Sequence, residues 1–152
     1  MQVNVQSVNP SFGYSTILSK LYREGKLPMI KRGFYGDLLN NDPSSPRFAT
    51  NEHLNPHSMG GSTHPRNIVL SSKRLNNARG NDPLSTVFNL DKATAYFKQF
   101  EDIKVPYKKG GKNKIFDGNN YIKLAWENIT KLLKREKRLD LLEGTKKLNI
   151  KA

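Results

Sequence analysis

Cysteine is absent from this chain of 152 residues. Its absence excludes disulfide bonds, thiolate-ligated zinc ribbons and a cysteine nucleophile, and it fits a reducing compartment. Long apolar runs are missing too, since none approaches the roughly 20 residues that a membrane-spanning helix needs. The polar residues 1–9 contain no apolar core of a secretory signal. We therefore expect a cytoplasmic protein with no membrane contact.

Acidic residues are scarce, because 13 Asp and Glu residues face 26 Lys and Arg residues and leave a net charge of +13. A positive field of this kind attracts polyanions, of which nucleic acid is the commonest. A ribosomal or membrane-surface role is the alternative. Hydrophobic residues make up 36% of the chain, which supports one modest core and a single domain over residues 1–152.

Apolar periodicity predicts three helices outside the central part of the chain. The first covers residues 15–24, the second covers residues 90–100 with a cap near Asp91, and the longest covers residues 120–143. Between the last two, residues 105–120 are rich in glycine, lysine and asparagine. This composition predicts a mobile basic loop.

The most informative stretch is residues 51–61, which place an acid next to a histidine and then pass through a proline to a Gly-Gly turn. A histidine with a pKa near neutrality can take a proton from water. A carboxylate and an amide oxygen suit a hard divalent cation, which can neutralise the charge that develops on a phosphate. Glu52, His53 and Asn76 are residues of these types.

The surrounding pattern predicts a strand, a loop, a second strand and a helix in that order. We expect the strands over residues 48–54 and 67–70, joined by a loop over residues 57–66. A helix follows that is capped by one serine of the Ser71-Ser72 pair and ended by Gly80.

This order and its spacing resemble the HNH nuclease motif, the ββα-metal finger, in the form with asparagine in the third position. The match covers about residues 48–84 and includes Arg79-Gly80 at the end of the helix. It implies an α+β fold in which the finger is embedded in a mainly helical, basic scaffold formed by residues 1–47 and 85–152. The cysteine pairs with which many relatives bind structural zinc are absent, so hydrophobic packing must hold the finger together.

The resemblance also implies roles for individual residues. His53 is the general base, and Asn67 holds the loop and orients His53. Glu52 and Asn76 hold one divalent cation, for which their oxygen atoms favour Mg²⁺ or Mn²⁺ over Zn²⁺ or Ni²⁺. Four basic residues are expected to meet the phosphate backbone: Arg66, Lys73, Arg74 and Arg79.

These roles imply a metal-dependent endonuclease that nicks or cuts DNA, in the cytoplasm of a bacterial host if a phage or mobile element encodes it. One alternative is a catalytically silent nucleic-acid-binding accessory or virion protein that keeps the finger as a scaffold. Another is an RNA-directed enzyme or a protein-targeted, toxin-like effector. His57 and His64 in the loop are further candidates for phosphate contact or metal binding. The sequence leaves the oligomeric state, the cut site and the native metal open.

Overall fold

Residues 17–143 are described by a computed structural model, and they form four α-helices and two small antiparallel sheets. The α+β class that the sequence predicts is confirmed at this level. The helices are α1 (Ile17–Arg23), α2 (Lys73–Arg79), α3 (Leu90–Lys98) and α4 (Gly118–Arg135). The strands are β1 (Ala49–His53), β2 (Ile68–Ser72), β3 (Lys104–Lys109) and β4 (Lys112–Asp117). None of these described helices is long and apolar enough to cross a membrane.

The antiparallel pair β1–β2 lies at the centre of the fold. Its register sets Ala49 opposite Ser72 and His53 opposite Ile68. Both strands lie where the sequence predicts them, although β2 continues two residues beyond Leu70. All five residues of β2 are buried, as expected for a short apolar run that is covered on both faces.

The outer edge of β2 has no third strand: three side chains bond to it, and the Phe34 N–H donates to the Leu70 carbonyl at 2.9 Å. The Leu70 N–H donates to Tyr96 Oη at 2.9 Å, and Tyr121 Oη donates to the Ile68 carbonyl at 2.8 Å. Asp37 Oδ2 accepts from the N–H of the last residue of the strand at 2.7 Å. A buried backbone group without a partner costs free energy, so these bonds allow a strand edge to lie inside the core.

Helices α3 and α4 bring aromatic rings against this strand. The ring centroids of Tyr96 and Phe100 are 5.1 Å apart, and those of Phe100 and Tyr121 are 5.0 Å apart. Both pairs meet edge to face, the arrangement that aromatic quadrupoles favour. The helices therefore fix the two tyrosine hydroxyls that β2 needs.

The prediction of a mobile loop over residues 105–120 is wrong, because most of these residues form the β3–β4 hairpin. Val105 and Phe116 are opposite each other and are buried at its base. Gly110 and Gly111 take φ values of 58° and 79° at the tip, as the two central residues of a type I′ turn require. The Gly-Gly pair was therefore a turn signal between two strands.

The predicted helix bounds need three further corrections. Helix α4 begins at Gly118, where Asp117 Oδ1 caps its first turn, and it ends at Arg135 instead of continuing to residue 143. Lys137 adopts a φ of 59°, a left-handed conformation that a helix cannot contain. Helix α3 is capped by Asn89, two residues before Asp91, and it ends at Lys98 instead of at residue 100. The predicted start of the first helix at residue 15 lies outside the described residues.

We expect Tyr96→Phe to lower the free energy of unfolding by about 1–3 kcal/mol, because it leaves buried hydrogen-bonding groups without a partner. The Leu70 N–H loses its acceptor. The Tyr121 hydroxyl loses the neighbour 3.0 Å away that donates to it, since Tyr121 itself donates to a carbonyl. Urea unfolding followed by circular dichroism measures the change.

The matched control is Tyr107→Phe on the hairpin, where Tyr107 is only partly buried. Its effect should stay within about 0.5 kcal/mol, as for other surface substitutions. Equal losses in the two variants would contradict the role assigned to the Tyr96 hydroxyl.

Candidate active site

Helix α2 follows β2 directly and is held over β1 by side-chain hydrogen bonds. Ser72 Oγ accepts from the Leu75 N–H at 3.2 Å, so Ser72 is the cap of the predicted pair. Asn76 Nδ2 donates to Thr50 Oγ1 and to the Asn51 carbonyl, each at 2.9 Å. The order strand, strand, helix thus brings the end of β1 and the middle of α2 together.

Arg79 at the end of α2 is buried, with 4% of its surface exposed. Its guanidinium donates to the His53 carbonyl at 2.6 Å, the Leu54 carbonyl at 2.7 Å and the Asp82 carbonyl at 2.9 Å. It also lies 3.6 Å from Glu52 Oε2. The prediction that Arg79 meets phosphate is wrong, because these donors are already used inside the protein. Arg79 is a positioning residue that ties α2 to the end of β1.

Glu52 is also buried, and its Oε2 atom accepts a hydrogen bond from Tyr35 Oη at 2.6 Å. Burial raises the pKa of Glu52, while Tyr35 and Arg79 act in the opposite direction. Burial and the neighbouring Glu52 carboxylate raise the pKa of Tyr35 well above its usual range, so Tyr35 stays a neutral donor. Sequence reasoning missed Tyr35, because it lies in an irregular segment 17 residues before Glu52.

His53 is half-buried at the end of β1. Its Nε2 atom is buried and makes no hydrogen bond within residues 17–143. The rings of His53 and His57 are 6.3 Å apart between centroids. Burial lowers the pKa of His53, and the nearby charges of His57 and Arg79 lower it further. The imidazole is therefore neutral near pH 7, which is the state that can accept a proton.

Asn67 is buried and fixes the backbone of the loop between β1 and β2. Its Nδ2 donates to the Asn55 carbonyl at 3.0 Å and to the Ser62 carbonyl at 2.8 Å, and its Oδ1 accepts from the Asn55 N–H at 2.9 Å. It makes no described hydrogen bond to the imidazole of His53. Asn67 can therefore orient His53 only indirectly, through the backbone of the loop that follows His53.

Helix α4 supports the same loop from outside. Asn128 Nδ2 donates to Asn67 Oδ1 at 3.0 Å, and Arg135 Nη2 donates to Asn55 Oδ1 at 3.0 Å. The loop is packed so closely that a Cβ atom on Gly61 would overlap the Asn55 carbonyl oxygen. Sequence reasoning missed Asn128 and Arg135, since they lie more than 60 residues from the loop.

The donor atoms fit a hard divalent cation in type. Two bonds fix the amide nitrogen of Asn76, which leaves its Oδ1 for a cation. Both Tyr35 and Arg79 contact Oε2 of Glu52, and the His53 N–H also acts on this carboxylate. Mg²⁺ commonly keeps several waters and takes one or two protein oxygens together with substrate phosphates. Within residues 17–143, no group of three or more His, Cys, Asp or Glu residues is placed to hold a metal ion.

The strand geometry separates the base from these donors. Thr50 and Glu52 share one side of β1, because side chains alternate along a strand, and Asn76 bonds to Thr50 on that side. His53 belongs to the opposite side. The structure thus brings Glu52 and Asn76 to the junction of β1 and α2, with His53 next to it.

Three of the four predicted phosphate contacts are exposed: Arg66, Lys73 and Arg74. Arg66 Nε donates to His64 Nδ1 at 3.2 Å, so the two residues form one polar turn in the loop. Burial and the charge of Arg66 lower the pKa of His64. Lys73 and Arg74 open α2 and take part in none of the ion pairs within the described residues.

Comparing Arg79→Met with Arg74→Met tests whether the buried arginine stabilises the fold more than an exposed arginine on the same helix does. Removing Arg79 leaves Glu52 buried without its cation, and we expect the free energy of unfolding to fall by about 3–5 kcal/mol. Arg74→Met should change it by about 0.5 kcal/mol or less. Urea unfolding measures both. Similar small effects in the two variants would show that Arg79 is not the anchor described above.

The pKa of His53 should lie below the usual value of about 6.5 when it is followed by NMR titration. His57→Gln removes a like charge that disfavours the protonated imidazole, so the pKa of His53 should rise. His64→Gln is the matched control and should leave it unchanged. A His53 pKa at or above the usual value, or equal shifts in both variants, would contradict the electrostatics of the site.

Comparison with protein-family models, with curated proteins and with solved structures finds no match for this chain.

Proposed function

We propose that this chain is a metal-dependent endonuclease of the HNH type that hydrolyses phosphodiester bonds in DNA. The observation that supports this most is the junction of β1 and α2. There a half-buried histidine with a lowered pKa lies next to a carboxylate and an amide that are both held in place. The order of β1, β2 and α2 supports assigning this unit to the ββα-metal finger that the sequence resembles.

His53 acts as the general base and takes the proton from the attacking water. A base must be unprotonated before it can act. The lowered pKa meets that condition at neutral pH, because burial, His57 and Arg79 all disfavour the imidazolium. Asn67 acts on His53 indirectly, since its hydrogen bonds hold the backbone of the loop.

Glu52 and Asn76 would hold the divalent cation, Mg²⁺ or Mn²⁺. When bound, such a cation neutralises charge on the phosphate and stabilises the leaving oxygen. Tyr35 and Arg79 restrain Glu52 from the protein side by contacting its Oε2 atom. The Arg79 guanidinium also opposes the effect of burial on the pKa of Glu52 and thus favours the ionised carboxylate.

Arg66, Lys73 and Arg74 are the exposed cations of this unit, and we assign them to the DNA backbone. The net charge of +13 supports a polyanionic substrate. Binding through such contacts weakens steeply as salt rises, because condensed counterions are released from the DNA.

One observation favours a second candidate, a catalytically silent nucleic-acid-binding protein that keeps the finger as a scaffold. The Glu52 side chain is only 5% exposed, and its partner Arg79 is itself a cation. A nearby positive charge disfavours a second cation. In a silent protein Arg79 would take the place of the metal at Glu52.

Cleavage of supercoiled plasmid by the purified protein separates the two candidates. We expect nicking with Mg²⁺ or Mn²⁺ and none with EDTA. His53→Ala should reduce the rate by about 10²–10⁴-fold, the usual contribution of a general base. Thr94→Ala, at an exposed position on α3 that lines neither the site nor the clefts beside the hairpin, is the control and should retain the rate.

The dependence of the rate on pH gives a second readout. The rate should rise with pH as His53 loses its proton, with a midpoint below about 6.5 because the pKa is lowered in the folded protein. Equal cutting by His53→Ala and by the unchanged protein would rule out this base. Salt-sensitive DNA binding without cutting would favour the silent scaffold.

A further inference from the structure

The β3–β4 hairpin carries a concentration of lysine that the active site does not use. Its lysines are Lys104, Lys108, Lys109, Lys112 and Lys114, and its one acid, Asp117, caps α4. The register sets Lys109 opposite Lys112 near the tip. Lysines on an exposed hairpin can guard it against edge pairing, and a concentration of them also attracts a polyanionic partner.

Two neighbouring clefts lie along this hairpin and share lining residues. One has a volume of about 750 Å³ and lies between the hairpin, α1 and the turn at His64. The other, of about 680 Å³, continues along α1 towards Lys26. Both are lined by Lys20, Tyr107 and Lys108. We call the two clefts together the hairpin trough.

The lining of the hairpin trough combines apolar surface with positive charge. Pro106 and Ile115 are opposite each other on the hairpin, both are exposed, and Ile115 is 66% exposed. Tyr107 lines both clefts as well, from the opposite face of β3 to Pro106, because side chains alternate along a strand. The one acid along the trough, Glu24, is already paired with Lys26 at 3.3 Å.

This combination suits an unpaired strand better than a duplex. A duplex keeps its base faces stacked inside, so a side chain reaches them only where base steps are unstacked, which costs free energy. An unpaired strand offers phosphates to lysines and base faces to aromatic and apolar side chains. We propose that the hairpin trough binds a single strand of DNA, with phosphates at Lys20 and Lys108 and a base against Tyr107.

The trough also leads towards the candidate active site. Its wall includes Ser62 and His64, and Asn67 holds the Ser62 carbonyl at 2.8 Å. A strand leaving the trough would therefore pass the loop that follows His53. The choice of DNA and this link rest on the proposed function, and they imply a preference for DNA with a single-stranded stretch beside the cut, as in a flap or a gap.

Fluorescence anisotropy with the full chain in EDTA tests binding without cleavage. The probes are a labelled 16-nucleotide oligo(dT), its duplex with oligo(dA), and oligo(rU) of the same length. We expect oligo(dT) to bind most tightly. Lys20→Ala with Lys108→Ala should reduce the slope of log K against log salt by about 1.4, because each phosphate contact on a single strand contributes about 0.7. Tyr107→Leu should weaken binding by about tenfold through lost stacking.

Lys98→Ala with Lys131→Ala is the matched control, since both lysines are exposed on α3 and α4 and neither lines the trough. Unchanged oligo(dT) binding in the trough variants, or equal losses in the control, would overturn the proposal. Tighter binding of the duplex or of oligo(rU) would overturn the assignment to single-stranded DNA. Oligo(dT) binding that depends on the trough, in a protein that cuts no DNA, would support the trough and refute the proposed nuclease.

Discussion

The guanidinium of Arg79 holds the end of α2 against the end of β1, and the geometry of the candidate site depends on this contact. One planar group donates to three carbonyls, two of them at the end of β1, and faces the carboxylate of Glu52. A buried guanidinium is tolerated only where its donors are satisfied and its charge is paired. The dependence is therefore mutual. Arg79 fixes the carbonyls of His53 and Leu54, and these carbonyls together with Glu52 allow Arg79 to be buried.

A second set of contacts holds the loop after His53 in place. Asn67 holds the loop from within, and Asn128 and Arg135 hold it from α4. The loop is therefore fixed at its inner side, while the turn at His64 remains exposed. This division suits a site in which the proton acceptor must keep its place but a long polyanion must approach. The field of a chain with net charge +13 favours that approach.

Local patterns predicted the parts of the fold that local forces determine. The two strands, the Ser72 cap and the Gly80 end follow from short-range rules, and they lie where the sequence indicates. Contacts between distant residues were not predictable, because nothing near residue 35 indicates that Tyr35 will donate to Glu52.

The predicted phosphate contact of Arg79 was wrong. The sequence does not distinguish an arginine that is buried in the fold from one that is exposed on its surface. The hairpin was missed because lysine and glycine content outweighed a Gly-Gly turn between two alternating segments. Which side chains of the candidate site meet a substrate stays a prediction from the sequence, which the geometry supports.

The central claim is that Glu52 and Asn76 share a cation next to His53, and paramagnetic NMR with Mn²⁺ tests it most directly. Mn²⁺ added in small amounts to the ¹⁵N-labelled protein broadens the signals of the residues that lie nearest to it. The account predicts that the amides of residues 52, 53 and 76 broaden first, and that Asn76→Ala removes this effect. Broadening that begins at another acidic position, such as Asp140, or that persists unchanged in Asn76→Ala, would contradict it.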